Sequence, residues 1–287
     1  MKLGITGWLP GDPKAMTPAA LKAIKDAGFS GFGVNFRTGV ESITDDVAAN
    51  VGKVFADSGL DAVELGMYST TLVHPDAAVR AANVDALAKA IKVAAKIGRP
   101  GVITGSGSLN AKSQWFPHPE NHGEAAHERL VASLKEAVKV AEDYGIILGL
   151  ECHTFTALYS AESAKRTIDE VGSKNLKVHL DVVNWITWET VYRTGEAIKQ
   201  MFALLAPDYI LGAHMKGIEI EDKLVIHMNE TVAGAETDVL DHVTYLQEMA
   251  KMPADSYLVI EHTPVDQIPA TRDFVLAKAK EAGVSFA

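Results

Sequence analysis

Four short apolar segments in the second half of the chain each run into a residue able to bind a metal ion: Gly149-Leu150-Glu151, His179-Leu180-Asp181, Gly212-Ala213-His214 and Val259-Ile260-Glu261. Charged side chains are scarcely ever fully buried unless they are paired or hold a metal, so each of these residues asks for a partner. Three carboxylates and one imidazole crowded together need a cation to balance their repulsion. Any one of them alone could cap its strand in water or pair with a lysine; it is the repetition on four successive segments that points to metal. Mixed oxygen and nitrogen ligation suits Mn²⁺, with Mg²⁺ or Co²⁺ as alternatives, and a lone cysteine, Cys152, rules out an all-thiolate zinc site.

Residues two apart on a strand point to the same side. Glu151 therefore brings His153, Asp181 brings His179, and His214 brings Lys216. His153 is a candidate general base beside the metal, or equally a donor that orients Glu151. His179 lies deeper, where a structural histidine is expected. Lys216 could hold a carboxylate, a phosphate or an enolate oxygen as a compact positive charge, or be a solvated loop lysine. Trp8, Tyr68, Trp115 and Trp185 fall near strand ends, where aromatic faces can cover the apolar side of a sugar or simply pack the core. Cys152 points the other way, as a small buried filler.

Positioning such a set requires strands whose ends converge. Eight β-rich segments alternate with helical ones along the chain: Leu3–Thr6, Gly33–Phe36, Ala62–Gly66, Gly101–Thr104, Ile146–Glu151, Lys177–Asp181, Tyr209–His214 and Tyr257–Glu261. The clearest helices run from Asn83 to Ile97 and from Glu124 to Tyr144. Thr17-Pro18 reads as a helix cap followed by proline in the first turn, and Gly28, Gly98 and Gly145 as helix stops. Eight strands in βα order predict a closed (β/α)₈ TIM barrel forming a single domain over 1–287. An open doubly wound sheet is disfavoured because no Gly-x-Gly-x-x-Gly follows the first strand. Two long connections, Ser106–Asn121 and Lys216–Asp238, leave strand C-terminal ends and are candidate substrate walls, the second with an extra β-ribbon at Leu224–Met228. Trp115 and His118 on the first, and Lys216 on the second, are candidate substrate contacts.

The composition agrees with an ordinary globular enzyme: 287 residues, 47% hydrophobic and 22% charged. A single cysteine excludes an internal disulfide, and no apolar run has the length of a signal peptide or membrane span, so a cytoplasmic protein without a membrane partner is expected. The formal net charge of -10 and the lack of a Lys/Arg-rich stretch argue against nucleic acid. Homo-oligomerisation stays open.

The residues quoted above resemble the xylose-isomerase-like barrels known as sugar phosphate isomerases/epimerases, including D-tagatose and D-psicose 3-epimerases, over essentially the whole chain. The resemblance implies a Glu-Asp-His-Glu set for Mn²⁺ or a similar ion at Glu151, Asp181, His214 and Glu261, with both Glu also exchanging protons with the substrate. Leu180-Asp181-Val182-Val183-Asn184 is similar to the family's sixth-strand segment, and Gly234 to Asp238 to its glycine-containing turn. In the ketose epimerases a histidine three residues after the metal-binding Asp contacts the sugar. Asn184 takes that place in this chain as a candidate substrate contact, with Tyr68 as another, and the resemblance does not carry the relatives' ketose substrate over to it.

The chemistry expected of a cation flanked by two carboxylates is proton transfer beside a carbonyl, through an enediolate, giving isomerisation or epimerisation of a sugar or keto-sugar. Abstraction followed by β-elimination, making a lyase or dehydratase of keto-sugars or keto-inositols, is the alternative. A nuclease resembling endonuclease IV would need more ligands on the early strands and a basic groove, and a non-catalytic binding barrel would hold no metal.

Overall fold

A computed structural model describes residues 1–36, 39–68, 70–98 and 100–287. Eight parallel strands close into a barrel in the order β1-β10-β7-β6-β5-β4-β3-β2, with helices around it. The elements are β1 (Lys2–Thr6), α1 (Pro18–Asp26), β2 (Gly31–Val34), α2 (Asp45–Ser58), β3 (Asp61–Gly66), α3 (Ala77–Ile97), β4 (Gly101–Thr104), α4 (Glu124–Tyr144) and β5 (Leu148–Leu150). They continue with α5 (Ala161–Val171), β6 (Leu176–Leu180), α6 (Thr194–Leu205), β7 (Ile210–Met215), β8 (Gly217–Ile220), β9 (Met228–Thr231), α7 (His242–Met249), β10 (Tyr257–Ile260) and α8 (Ile268–Ala282). The expected (β/α)₈ TIM barrel is therefore the fold. Among the described residues, no helix is long and apolar enough to cross a membrane.

Local chemistry accounts for the helix limits. The Thr17 hydroxyl accepts from the Ala20 amide at 3.2 Å and opens α1, and Gly145 closes α4 in the left-handed conformation at φ 61°. The helix expected from Asn83 begins earlier, at Ala77, because the Asp76 carboxylate caps the Ala78 amide at 2.8 Å. The second strand lies two residues earlier than expected, at Gly31–Val34, and the fifth is only Leu148–Leu150.

The extra ribbon exists, but not where the apolar run placed it. It pairs Gly217–Ile220 with Met228–Thr231, and Leu224, Val225 and Ile226 form its exposed tip. A β-branched run reads as a strand from composition alone, whereas the pairing partners are set by register.

The barrel interior is filled by side chains reaching across from one strand into space left by glycine on another. The β6–β7 register shifts between Val178 and His179, and Leu211 is the residue passed over. Its Cδ2 lies only 2.5 Å from where a Cβ on Gly101 would stand. Higher in the barrel, a Cβ on Gly33 would come within 2.6 Å of the Glu64 carboxylate and 2.8 Å of the Thr6 Cβ, so glycine there is what lets Glu64 extend inward.

Candidate metal and active site

Glu151, Asp181 and Glu261 directly follow β5, β6 and β10, and His214 stands near the end of β7; all four are buried. One ligand atom from each lies within 4.8 Å of all the others. His214 Nδ1 is 3.3 Å from Glu261 Oε2 and 4.0 Å from both Glu151 Oε2 and Asp181 Oδ2. The backbone is held from behind: the Glu151 amide donates to the Thr104 carbonyl at 2.9 Å, and the Tyr245 hydroxyl on α7 donates to the His214 carbonyl at 2.6 Å.

Three carboxylates and one imidazole suit a divalent ion with oxygen preference. The fit is supported by His214 Nδ1, a buried ring nitrogen without a hydrogen-bond partner that faces all three carboxylates.

Lys216 is no surface lysine. Its ammonium is buried, 2.7 Å from Asp181 Oδ2, 3.3 Å from Glu261 Oε2 and 2.7 Å from Glu230 Oε2. Glu230 belongs to β9, so the ribbon folds back over the mouth, and its other oxygen meets His262 Nδ1 at 2.7 Å. His262 is, among the described residues, the one non-glycine with positive φ, at 51°.

Electrostatics separate the two glutamates. Burial, reinforced by the Glu261 charge, pushes the Glu151 carboxyl up to about 7. Burial acts upward on Glu261 too, but His214 and Lys216 outweigh it and hold that carboxyl well below its ordinary range. One carboxyl thus keeps a proton far more readily than its neighbour. His214 is driven up to about 10: burial opposes its charge, and Glu261 and Glu64 overcome that opposition.

The remaining residues singled out by the sequence fall into three groups. Asn184 touches Glu151, its amide nitrogen donating to Glu151 Oε1 at 3.1 Å, and the phenol of Tyr68 is pushed well above its usual value by burial and then by the Glu151 charge. Trp115 stacks at 6.1 Å beside the Tyr68 ring and leans on Gly105, where a Cβ would lie 2.7 Å away. His153 is half-buried; its Nδ1 accepts from the Phe155 amide at 3.4 Å, leaving Nε2 as the N–H donor. Burial lowers its basicity below that of a free imidazole, with Asp181 partly opposing.

His118 does not join them. It lines a separate cavity of about 620 Å³ with Thr71, His74, Lys112 and Arg129, because the loop turns it away from the barrel mouth. Trp185 is buried and donates its indole N–H to the Leu158 carbonyl at 3.1 Å, Trp8 packs edge-on against Phe29, and Cys152 is a buried free thiol.

Sequence reasoning passed over Glu64, Glu230 and His262. Glu64, a carboxylate inside an apolar strand, was the one signal available: it is 3% exposed, and its Oε2 is 3.3 Å from Nε2 of both His179 and His214. Beside the ligands, a cavity of about 320 Å³ opens, lined among others by Thr6, Asn35, Glu64, Tyr68, Glu261 and His262.

A comparison with curated protein sequences finds no match. Among solved structures, D-psicose 3-epimerase in the presence of D-fructose is 19% identical, covering 98% of this chain and 99% of that one at a TM-score of 0.69. The 3-keto-D-glucoside 4-epimerase of E. coli, in its apo form, is 15% identical over 96% of this chain and 98% of that one, with a TM-score of 0.69. A xylose isomerase-like TIM barrel protein from Mycobacterium smegmatis in complex with magnesium is 15% identical over 98% of this chain and 97% of that one, with a TM-score of 0.72. At these identities the likeness is one of fold. The sequence model of the xylose isomerase-like TIM barrel family, however, matches residues 21–278, nearly the whole of the barrel that carries the buried Glu151, Asp181, His214 and Glu261 cluster, and the chain belongs to that family.

Proposed function

We propose that the protein is a divalent-metal-dependent isomerase or epimerase acting on a sugar or keto-sugar through an enediolate. The observation that carries this reading is the pair of glutamates after the two outer strands of the β10-β7-β6-β5 arc, each with a carboxylate oxygen in one buried cluster with Asp181 and His214, and each in different surroundings, with Lys216 beside Glu261 and Asn184 beside Glu151. Epimerases of a ketose and of a keto-sugar among the structural neighbours support the substrate class. Mn²⁺ is the ion best suited to the donor set, with Mg²⁺ and Co²⁺ as substitutes.

When bound, the ion supplies positive charge that polarises a carbonyl and its adjacent hydroxyl. The chain's own residues do the rest. Glu261, ionised, takes the proton from the carbon next to the carbonyl. Glu151, which keeps a proton near neutrality, returns one to the opposite face or to the neighbouring carbon. Asn184 holds the Glu151 carboxyl in place. The Lys216 ammonium, freed from Glu230 or Asp181, offsets charge developing on the substrate oxygens, while Tyr68 and Trp115 cover the apolar face of the ring.

The test is incubation with ketoses, keto-sugars and an inosose in deuterated water with Mn²⁺. Deuterium at one carbon of an epimerised or isomerised product supports the reading. Loss of water from the substrate would replace it with β-elimination, and no turnover or exchange across the panel would count against the substrate class.

A further inference from the structure

Glu64 reaches His214 from the side opposite the ligand cluster. The imidazole stands between two sets of carboxylates: Nδ1 faces Glu151, Asp181 and Glu261, and Nε2 faces Glu64 Oε2 at 3.3 Å. Both ring nitrogens are buried, and neither has a hydrogen-bond partner in settled geometry. A neutral imidazole carries one N–H. A cation at Nδ1 needs the lone pair there, which sends the proton to Nε2, where Glu64 waits as acceptor. His179 supports the same oxygen: its Nε2 is also 3.3 Å from Glu64 Oε2, and its ring lies edge-on to His214 with centroids 4.3 Å apart.

The reach of Glu64 is built into the barrel. It comes from β3, across the interior from β7, and depends on the absence of a side chain at Gly33. A buried carboxylate is costly unless its charge is answered, and the N–H groups of the two rings are what answer it.

We infer that Glu64 is a positioning residue that fixes the Nε2–H tautomer and ring orientation of His214, so that Nδ1 is presented to the divalent ion of the proposed function, and that His179 serves to hold Glu64 in place. This rests on the metal reading of the site. Removing a carboxylate that orients a ligating histidine weakens metal binding about 10–100-fold.

Mn²⁺ titration calorimetry on wild type, Glu64→Leu and Glu64→Gln tests it. Leucine fills the space but accepts nothing, so affinity should fall about 10–100-fold. Glutamine can turn its carbonyl oxygen to Nε2–H and should recover most of the loss, which a simple packing role would not require. Co²⁺-loaded Glu64→Leu should also show an altered visible ligand-field spectrum, with Glu64→Gln close to wild type. Equal Mn²⁺ affinity in wild type and Glu64→Leu overturns the inference while leaving the metal reading intact. So does a stoichiometry of two ions in wild type falling to one in Glu64→Leu, which would make Glu64, His179 and His214 a second metal site. No ion bound by wild type would remove the metal reading and this inference with it. Should Glu64→Leu fail to fold, ¹⁵N-histidine NMR of the Mg²⁺-loaded wild type decides: the His214 signals must report Nε2–H, and the Nδ1–H tautomer overturns the inference.

Discussion

At the level of single residues the site divides labour between two chemically identical side chains. Glu151 and Glu261 differ only in what surrounds them: the Lys216 ammonium lies 3.3 Å from Glu261, while the Asn184 amide donates to Glu151. Replacing either with glutamine keeps an oxygen for the ion and removes the proton carrier. Metal-saturated Glu151→Gln and Glu261→Gln should each lose about 10²–10⁴-fold in deuterium incorporation into substrate. Exchange at the wild-type rate in either variant would clear that glutamate and leave His153 as the group to examine. A second outcome concerns protons released to solvent. In the ion-free protein His214 stays protonated up to about 10, so an ion entering at pH 7 must displace the proton from its Nδ1. Calorimetry in buffers of different ionisation heat should therefore count about one proton released per ion at pH 7, with affinity rising between pH 6 and 8. Zero release at pH 7 would contradict the assignment of His214 as a ligand.

The ribbon and its return to the barrel show how one carboxylate can fasten an element. Asp238 is almost fully buried and accepts from the Ile218 and Leu240 amides at 3.1 and 3.0 Å through one oxygen, and from the Gly234 amide at 2.9 Å and His242 Nε2 at 2.5 Å through the other. These bonds tie β8, the turn from Gly234 and α7 together, close behind Lys216. Burial works against the charged form, and the bonds from His242 and the two turn amides more than offset it, so the carboxyl titrates below its ordinary value. Asp238→Ala should cost about 2–4 kcal/mol, since several buried donors lose their acceptor. Because the folded pKa is depressed, the contribution is complete above pH ~4 and disappears as pH falls through the folded value. Urea unfolding of wild type and variant should accordingly differ at pH 6, and the gap should narrow as pH falls below the ordinary aspartate value; an equal gap throughout would assign the loss to packing. The same element hides an asymmetry that composition cannot show: its apolar run forms the exposed tip, and its polar β9 residue Glu230 enters the site.

For the molecule as a whole, closure joins the first strand to the last, since β1 pairs with β10 over Lys2–Ile5 and Tyr257–Ile260. Glu151, Asp181 and Glu261 directly follow β5, β6 and β10 and His214 lies on β7, so an ion held among them, as proposed, would bridge segments more than a hundred residues apart in the chain. An ion that binds only the folded state adds about 2.7 kcal/mol at a concentration of 100 Kd. Thermal unfolding should thus shift upward by several degrees with saturating Mn²⁺, and the shift should vanish in His214→Ala, whose own melting in the absence of metal serves as the reference. A shift of equal size in that variant would place the stabilising ion elsewhere.

Much of this was present in the amino-acid order. The βα alternation fixes a barrel because strands covered on both faces must be apolar throughout, and a barrel brings strand C-terminal ends together, which is why Glu151, Asp181, His214 and Glu261 could be read as one cluster. Periodicity and capping likewise located α4 to the residue. What the order could not give is whatever depends on distance across the interior. Glu64 looks like an isolated charge in a strand until glycine at 33 and two histidines on β6 and β7 are seen to surround it. Lys216 becomes a buried cation only because the ribbon lays Glu230 over it, and His118 leaves the site because its loop faces another cavity. Period and composition are local properties of the chain; burial, protonation and the pairing of charges are set by groups that meet only after the barrel closes.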